Sequence, residues 1–233
     1  MPGILFLIPS LLSDDNTSVI PLETQQVLFS LKHFIVENDK TARHYLKAMK
    51  YPHPMQEASM NILDEHSLQS DIAGLLAPLL TGNHVGLISE AGCPAVADPG
   101  SNLVDAAHQK GIVVKPLTGP SSMLLALMGS GLNGQNFSFV GYLPKDRPAR
   151  VKAIKELERI SLSKNQTQLF IETPYRAHHL LEDLLTHLDK TTSLCIACDL
   201  TSKDEFIKTK TVEEWRRSKP ELQKKQVVFL IGR

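Results

Sequence analysis

Over the first half of the chain, short apolar runs alternate with stretches in which apolar residues return every three or four positions. Ile4 to Ile8, Phe34 to Val36, Val85 to Ile88 and Ile112 to Val114 read as buried strands. Between them Pro21 to Leu31, Thr41 to Met49, Leu68 to Leu80 and Leu103 to Lys110 carry helical spacing, the first opened by a proline and the last closed by Gly111. Strand and helix in strict alternation predict a parallel sheet with right-handed crossovers.

The pattern changes at Pro116-Leu117-Thr118-Gly119-Pro120, which places a domain boundary between residues 117 and 118 and predicts two α/β domains, 1–117 and 118–233. Ser121 to Gly129 reads as a helix rich in small residues. Beyond it Phe137 to Val140, Gln168 to Ile171, Leu194 to Ala197, Phe206 to Lys208 and Val227 to Ile231 read as strands, but only Arg150 to Ile160 and Ala177 to Leu188 supply helices between them. Too few crossovers for a parallel sheet predict a mixed one.

Composition narrows the function classes. With 42% apolar residues over 233 positions the chain can bury a sizeable core, and no apolar run approaches the roughly 20 residues of a membrane helix. The start MPGILFLIPS lacks the basic region and cleavage site of a signal peptide, so the expected location is cytoplasmic. Lys plus Arg equal Asp plus Glu at 25 each, so any polyanion must be met by a local patch. Two basic clusters qualify, one with Lys145, Arg147, Arg150, Lys152 and Lys155, the other with Arg216, Arg217, Lys219, Lys224 and Lys225; each is equally well a solvated helix face. Cys195 and Cys198 lie in an apolar run and read as core residues, and no histidine pair has metal-ligand spacing, so no metal is expected.

Candidate chemistry gathers in two loops that each follow a strand and precede a helix. In Glu90-Ala91-Gly92-Cys93-Pro94-Ala95-Val96-Ala97-Asp98-Pro99-Gly100, glycines allow close backbone approach and prolines stiffen the loop. Asp98 there is either a ligand contact or the turn residue that caps the following helix. Gly119-Pro120-Ser121-Ser122 offers hydroxyls and free N–H groups at a helix start, suited to a carboxylate or a ribose, or simply an ordinary cap. A phosphate-binding P-loop and a G-x-G-x-x-G fingerprint are both absent, which argues against an NTPase or dinucleotide enzyme.

Taken in order, Glu90-Ala91-Gly92, Pro94, Asp98-Pro99-Gly100, Pro116-Leu117-x-Gly119-Pro120-Ser121, Gly131-Leu132, Gly141-Tyr142-Leu143-Pro144 and Glu172-Thr173-Pro174-Tyr175-Arg176 resemble the tetrapyrrole methylase superfamily. Within it they most resemble the branch that methylates a cytidine ribose 2′-hydroxyl of small-subunit ribosomal RNA. The resemblance implies two α/β domains with S-adenosylmethionine in a cleft between them, usually in a homodimer. It assigns the cofactor to Ser89, Ala91, Asp98, Pro99, Ser121 and Ser122, with Ile171 and Glu172 as further positions.

Two segments differ from the ribosomal members. Those begin with a strand followed by a Pro-Thr-Pro-Ile-Gly-Asn loop, where this chain has Pro9-Ser10-Leu11-Leu12-Ser13-Asp14-Asp15, and their Glu-Asp-Thr-Arg motif corresponds to Glu37-Asn38-Asp39-Lys40-Thr41-Ala42-Arg43, with Glu37 in place and Thr41 and Arg43 matching only at a shifted spacing. A ribose hydroxyl is a weak nucleophile that benefits from a base, for which Glu37 and Asp39 are the candidates. Arg43, Arg147 and Arg150 are candidates for the RNA backbone. A methyltransferase for a tetrapyrrole or other small molecule, and a non-catalytic S-adenosylmethionine-binding protein, are the competing readings.

Overall fold

The computed structural model describes the chain except Asp15, Glu65 and Leu68 and the side chains of Gln69 and Ser70. It divides into two compact units, Met1–Ser121 and Ser122–Arg233.

In the first unit the order is β1 (Ile4–Ile8), α1 (Leu22–Ser30), β2 (His33–Val36), α2 (Asp39–Ala48), β3 (Ser59–Ile62), α3 (Gln69–Leu75), α4 (Ala77–Leu80), β4 (Val85–Ile88), α5 (Gly100–Gln109) and β5 (Val113–Pro116). The expected start of the third helix at Leu68 lies outside the described residues. All strands are parallel and lie in the order β3-β2-β4-β1-β5. Side chains of successive strand residues point to opposite faces, so each apolar run supplies two cores. Phe6, Ile8, Phe34, Val36 and Ile88 face Leu28 of α1 and Ala42, Tyr45 and Leu46 of α2. Leu5, Ile35, Val85 and Leu87 face Ile72, Leu79, Leu103 and Ala107 of α3, α4 and α5. Central strands buried on both sides explain why these runs show no polar alternation.

Gly119 and its neighbours belong to this unit. The Leu117 N–H donates to the Leu7 carbonyl at 2.9 Å and Thr24 Oγ1 donates to the Thr118 carbonyl at 2.7 Å. These bonds tie residues 117 to 120 to β1 and α1, so the division falls after Ser121.

The second unit runs α6 (Ser122–Ser130), β6 (Phe137–Tyr142), α7 (Arg147–Lys164), β7 (Thr167–Glu172), α8 (Ala177–His187), β8 (Ser193–Cys198), β9 (Phe206–Thr211), α9 (Val212–Arg217) and β10 (Val227–Gly232). Its sheet, β6-β7-β10-β8-β9, is mixed: β6 and β7 are parallel and the other pairs antiparallel. The core on one face joins Phe170, Phe229, Leu194 and Ile196 to Ile154 and Leu157 of α7, Leu180 to Leu188 around α8, and Trp215 of α9. Cys198 is buried in this core and Cys195, one of its neighbours on β8, is buried outside it; both are free thiols, and burial pushes the Cys198 thiol up to about 12. Two elements escape the sequence pattern. Strand β3 is a half-exposed edge with little apolar signal, and α9 is six residues long, held by a capping box between Thr211 and Glu214.

Candidate functional site at the carboxyl end of the parallel sheet

In the first unit β1 and β4 are neighbours whose chains leave in opposite directions: β1 continues into α1 on one face, β4 into α5 on the other. Such a switch point leaves a crevice beyond the strand ends, where open α/β sheets bind ligands. Four strand-end loops meet there. Pro9 and Ser10 follow β1, Glu37 follows β2, Ser89 to Gly100 follow β4, and Leu117 to Ser121 follow β5.

These loops are knitted by backbone groups. The Gly92 carbonyl accepts from the Ser10 N–H at 2.9 Å and from Ser89 Oγ at 3.2 Å. Gly92 itself has φ +75°, which the absence of Cβ makes inexpensive. Tyr45 of α2 donates its hydroxyl to the Pro9 carbonyl at 2.9 Å, and Cys93 Sγ donates to the Pro120 carbonyl at 3.5 Å. Gly119 packs so tightly on Pro9 that a Cβ there would lie 2.3 Å from the Pro9 Cβ.

The Asp98 carboxylate holds the long loop together. It accepts from the Ala95 N–H at 2.9 Å and from the Gly100 N–H at 2.8 Å, the second being an otherwise unpaired donor at the start of α5. Ala95 and Ala97 both have φ +64°, a conformation costing an alanine on the order of 1 kcal/mol each, and the Asp98 bonds offset that strain. The capping reading of Asp98 is therefore visible in its contacts, and its half-buried carboxylate stays beside the crevice. Ala91 is exposed on the same loop, Ser89 is buried beneath it, and Pro99 precedes α5.

Glu37 differs from the residues around it. Asn38, not a carboxylate, caps α2, accepting from the N–H groups of Lys40 and Thr41. Asp39 is taken by Arg43, whose Nε donates to it at 2.8 Å while Nη1 donates to the Met55 carbonyl at 3.0 Å. The Glu37 side chain instead reaches across to the Glu90 N–H at 3.3 Å. Burial, the Asp98 charge and, less strongly, the Glu90 charge push its carboxyl from the ordinary 4.5 up to about 7, against the lowering effect of that N–H. Burial also raises Asp98, opposed by its backbone bonds. Neither carboxylate has a cationic partner among the described residues.

Ser10 is a residue that sequence reasoning noted only as part of an altered loop. Its hydroxyl is buried and has no hydrogen-bond partner, an arrangement that costs about 1–3 kcal/mol unless something completes it. The signal available beforehand was its place directly after a strand that ends at the switch point. Nothing in the sequence pointed to Tyr45 or to the Gly119–Pro9 contact, because both depend on packing between distant segments.

In the second unit Ser122 opens α6, and Ile171 and Glu172 end β7. Glu172 is buried and accepts from Arg176 Nε and Nη2 and from the Thr173 N–H at 2.7 Å. Arg147 and Arg150 share Asp183: Arg147 Nε donates at 3.0 Å and Arg150 Nε at 2.9 Å. Arg150 is mostly buried and also donates to the carbonyls of Pro144 and Lys145, while Arg147 is 69% exposed. Among the described residues no cluster of His, Cys, Asp or Glu is arranged to hold a metal ion, and no helix is long and apolar enough to cross a membrane.

Comparison with known proteins fits this picture. Residues 18–215 match the family model of tetrapyrrole (corrin/porphyrin) methylases. The ribosomal RNA small subunit methyltransferase I of Vibrio cholerae is 31% identical over 231 residues, covering 98% of this chain and 76% of that protein. The protein of the same name from Halalkalibacterium halodurans is 34% identical over 157 residues, 66% of this chain and 52% of that one. In fold, the chain is similar to the methyltransferase CobJ, with a TM-score of 0.65 and 18% identity over 99% of this chain and 94% of that one. Diphthine synthase gives a TM-score of 0.65 at 16% identity over 98% and 89%.

Proposed function

The chain belongs to the tetrapyrrole (corrin/porphyrin) methylase family, whose members are methyltransferases, and from that premise we propose that it transfers the methyl group of S-adenosylmethionine to a ribose 2′-hydroxyl of small-subunit ribosomal RNA. The observation that carries the acceptor is the relation to proteins named ribosomal RNA small subunit methyltransferase I, at 31% identity over 98% of this chain for the Vibrio cholerae protein.

The first unit suits this cofactor. S-adenosylmethionine bears a sulfonium and an ammonium, and the crevice has two carboxylates, Glu37 and Asp98, held above their ordinary range without a cation. The orphaned Ser10 hydroxyl offers a polar contact, and the glycine-bearing loop brings backbone close. Ser89, Ala91, Asp98, Pro99 and Ser121 are the residues of this unit that we assign to the cofactor; Ser122, Ile171 and Glu172 are the assigned positions of the second unit. The bound cofactor supplies a methyl group already activated for displacement, so the protein's task is alignment and exclusion of water.

Glu37, rather than Asp39, is the base in this reading. Asp39 is committed to Arg43, whereas Glu37 has a carboxyl near 7, where a general base works best at neutral pH. Asp98 keeps that value high by its charge and keeps the loop folded by its backbone bonds. For the RNA backbone, Arg147 is the exposed cation; Arg43 and Arg150 are held by their own units. We further propose that the protein works in the cytoplasm and as a homodimer.

The test is incubation of the protein and methyl-tritiated S-adenosylmethionine with an extract of cells lacking its gene. Label in small-subunit ribosomal RNA supports the proposal. Label confined to small molecules refutes the acceptor and favours a small-molecule methyltransferase, and no label at all favours a binding protein without turnover.

A further inference from the structure

At the open end of the parallel pair β6–β7 stand two exposed tyrosines. Tyr142 closes β6 in register with Ile171 of β7, and it is 55% exposed. Tyr175 follows three residues after the end of β7 and is 83% exposed. Paired strands run about 4.8 Å apart, so both tyrosines emerge from the same end of the sheet on neighbouring strands.

The mounting of Tyr175 is rigid. Arg176 forks onto the buried Glu172, with Nη2 at 2.7 Å from Oε1 and 2.5 Å from Oε2. The Thr173 N–H donates to the same carboxylate at 2.7 Å, and the Thr173 carbonyl accepts from the N–H groups of Arg176 and Ala177 at 3.0 Å each. The backbone of a turn bound this way is ordered before any ligand arrives, so an aromatic ring presented on it has only its own side-chain freedom left to lose on binding.

The charge beside the tyrosines is positive. Lys145, Arg147 and Lys152 are exposed around the start of α7. Asp146 is occupied as the cap of α7, accepting from the Ala149 N–H, and Asp183 is neutralised between Arg147 and Arg150. On the α8 side the exposed Glu182 lies against His178 and His179.

We propose that Tyr142 and Tyr175 form a stacking platform for unpaired RNA bases, with Lys145 and Arg147 holding the flanking phosphates; this rests on the ribosomal RNA reading above. Aromatic faces beside exposed cations are what single-stranded nucleic acid binds, and they select unpaired bases because a base in a duplex hides its face in the stack.

The experiment measures binding of a single-stranded oligoribonucleotide carrying 2-aminopurine, alongside methyl transfer to small ribosomal subunits and sedimentation of each protein. Tyr142→Ala and Tyr175→Ala should each weaken binding about five- to hundred-fold and relieve quenching of the 2-aminopurine, whereas the phenylalanine variants should retain both. Arg147→Ala should instead lower the dependence on salt. Unchanged affinity and quenching in the double alanine variant would overturn the proposal, and if the native protein still methylated ribosomal RNA, the functional reading would survive it. No RNA binding and no RNA methylation by the native protein would overturn both. Loss of self-association in the alanine variants without loss of RNA binding would make the surface an interface between protein copies and overturn the platform. Thermal unfolding of each variant checks that it folds.

Discussion

Replacing Glu37 by Gln should make the protein more stable at alkaline pH. In the unfolded chain the carboxyl titrates near 4.5, but in the folded first unit it titrates near 7, so between these values the folded state binds more protons. Stability then falls as pH rises through that window. At about 1.4 kcal/mol per pH unit the rise sets an upper bound of about 3 kcal/mol, and since water reaches part of the side chain the penalty above pH 7.5 is about 1–2 kcal/mol. Glutamine keeps the acceptor for the Glu90 N–H and carries no charge, so the variant should match the native protein near pH 4.5 and exceed its melting temperature at pH 8 by about 2 to 8 °C. Thermal unfolding of both proteins across pH 4.5 to 8 measures this. A difference independent of pH, or a native protein more stable at pH 8, would refute the placement of Glu37 as a half-buried acid without a cationic partner. If Glu37 is also the base, the same variant should lose methyl transfer by about a hundred-fold or more, so it gains stability as it loses activity.

Asp98→Asn should lower the Glu37 carboxyl by removing its charged neighbour, moving the acid limb of the pH–rate profile to lower pH; an unmoved limb would mean that the two groups do not interact. Gly119→Ala would press a methyl group to 2.3 Å from the Pro9 Cβ, at a cost of about 1–3 kcal/mol, and should weaken S-adenosylmethionine binding measured by calorimetry. Burial opposes ionisation of Asp183, but the bonds from Arg150 and Arg147 outweigh it and hold the carboxyl below its ordinary 3.8. Its contribution is thus present above that pH and declines as the pH falls below it, so Asp183→Ala should cost about 3 kcal/mol at neutral pH in urea unfolding and less as the solution is acidified below 3.8.

Much of this molecule was legible in its order of residues. The alternation of apolar runs with helical spacing predicted both sheets and their different types, because a run buried on both faces and a helix with one apolar stripe leave different periods. The two loops that bear the chemistry stood out because glycine and proline mark places where backbone must turn or approach closely. Residue identity also favoured core cysteines, which is where Cys195 and Cys198 lie.

Other features came from tertiary structure alone. Glu37 and Asp39 are both acids in one short segment, and only packing separates them, giving one an arginine and the other a desolvated place beside Asp98. Arg147 and Arg150 looked alike as members of a basic cluster until Asp183, 36 and 33 residues away, drew both together and left only Arg147 outside. Local propensity and periodicity are written over a few neighbouring residues and can be read in order. Burial, pairing and the shift of a carboxyl depend on which distant segments the folded chain brings together, and a single sequence carries no measure of those distances.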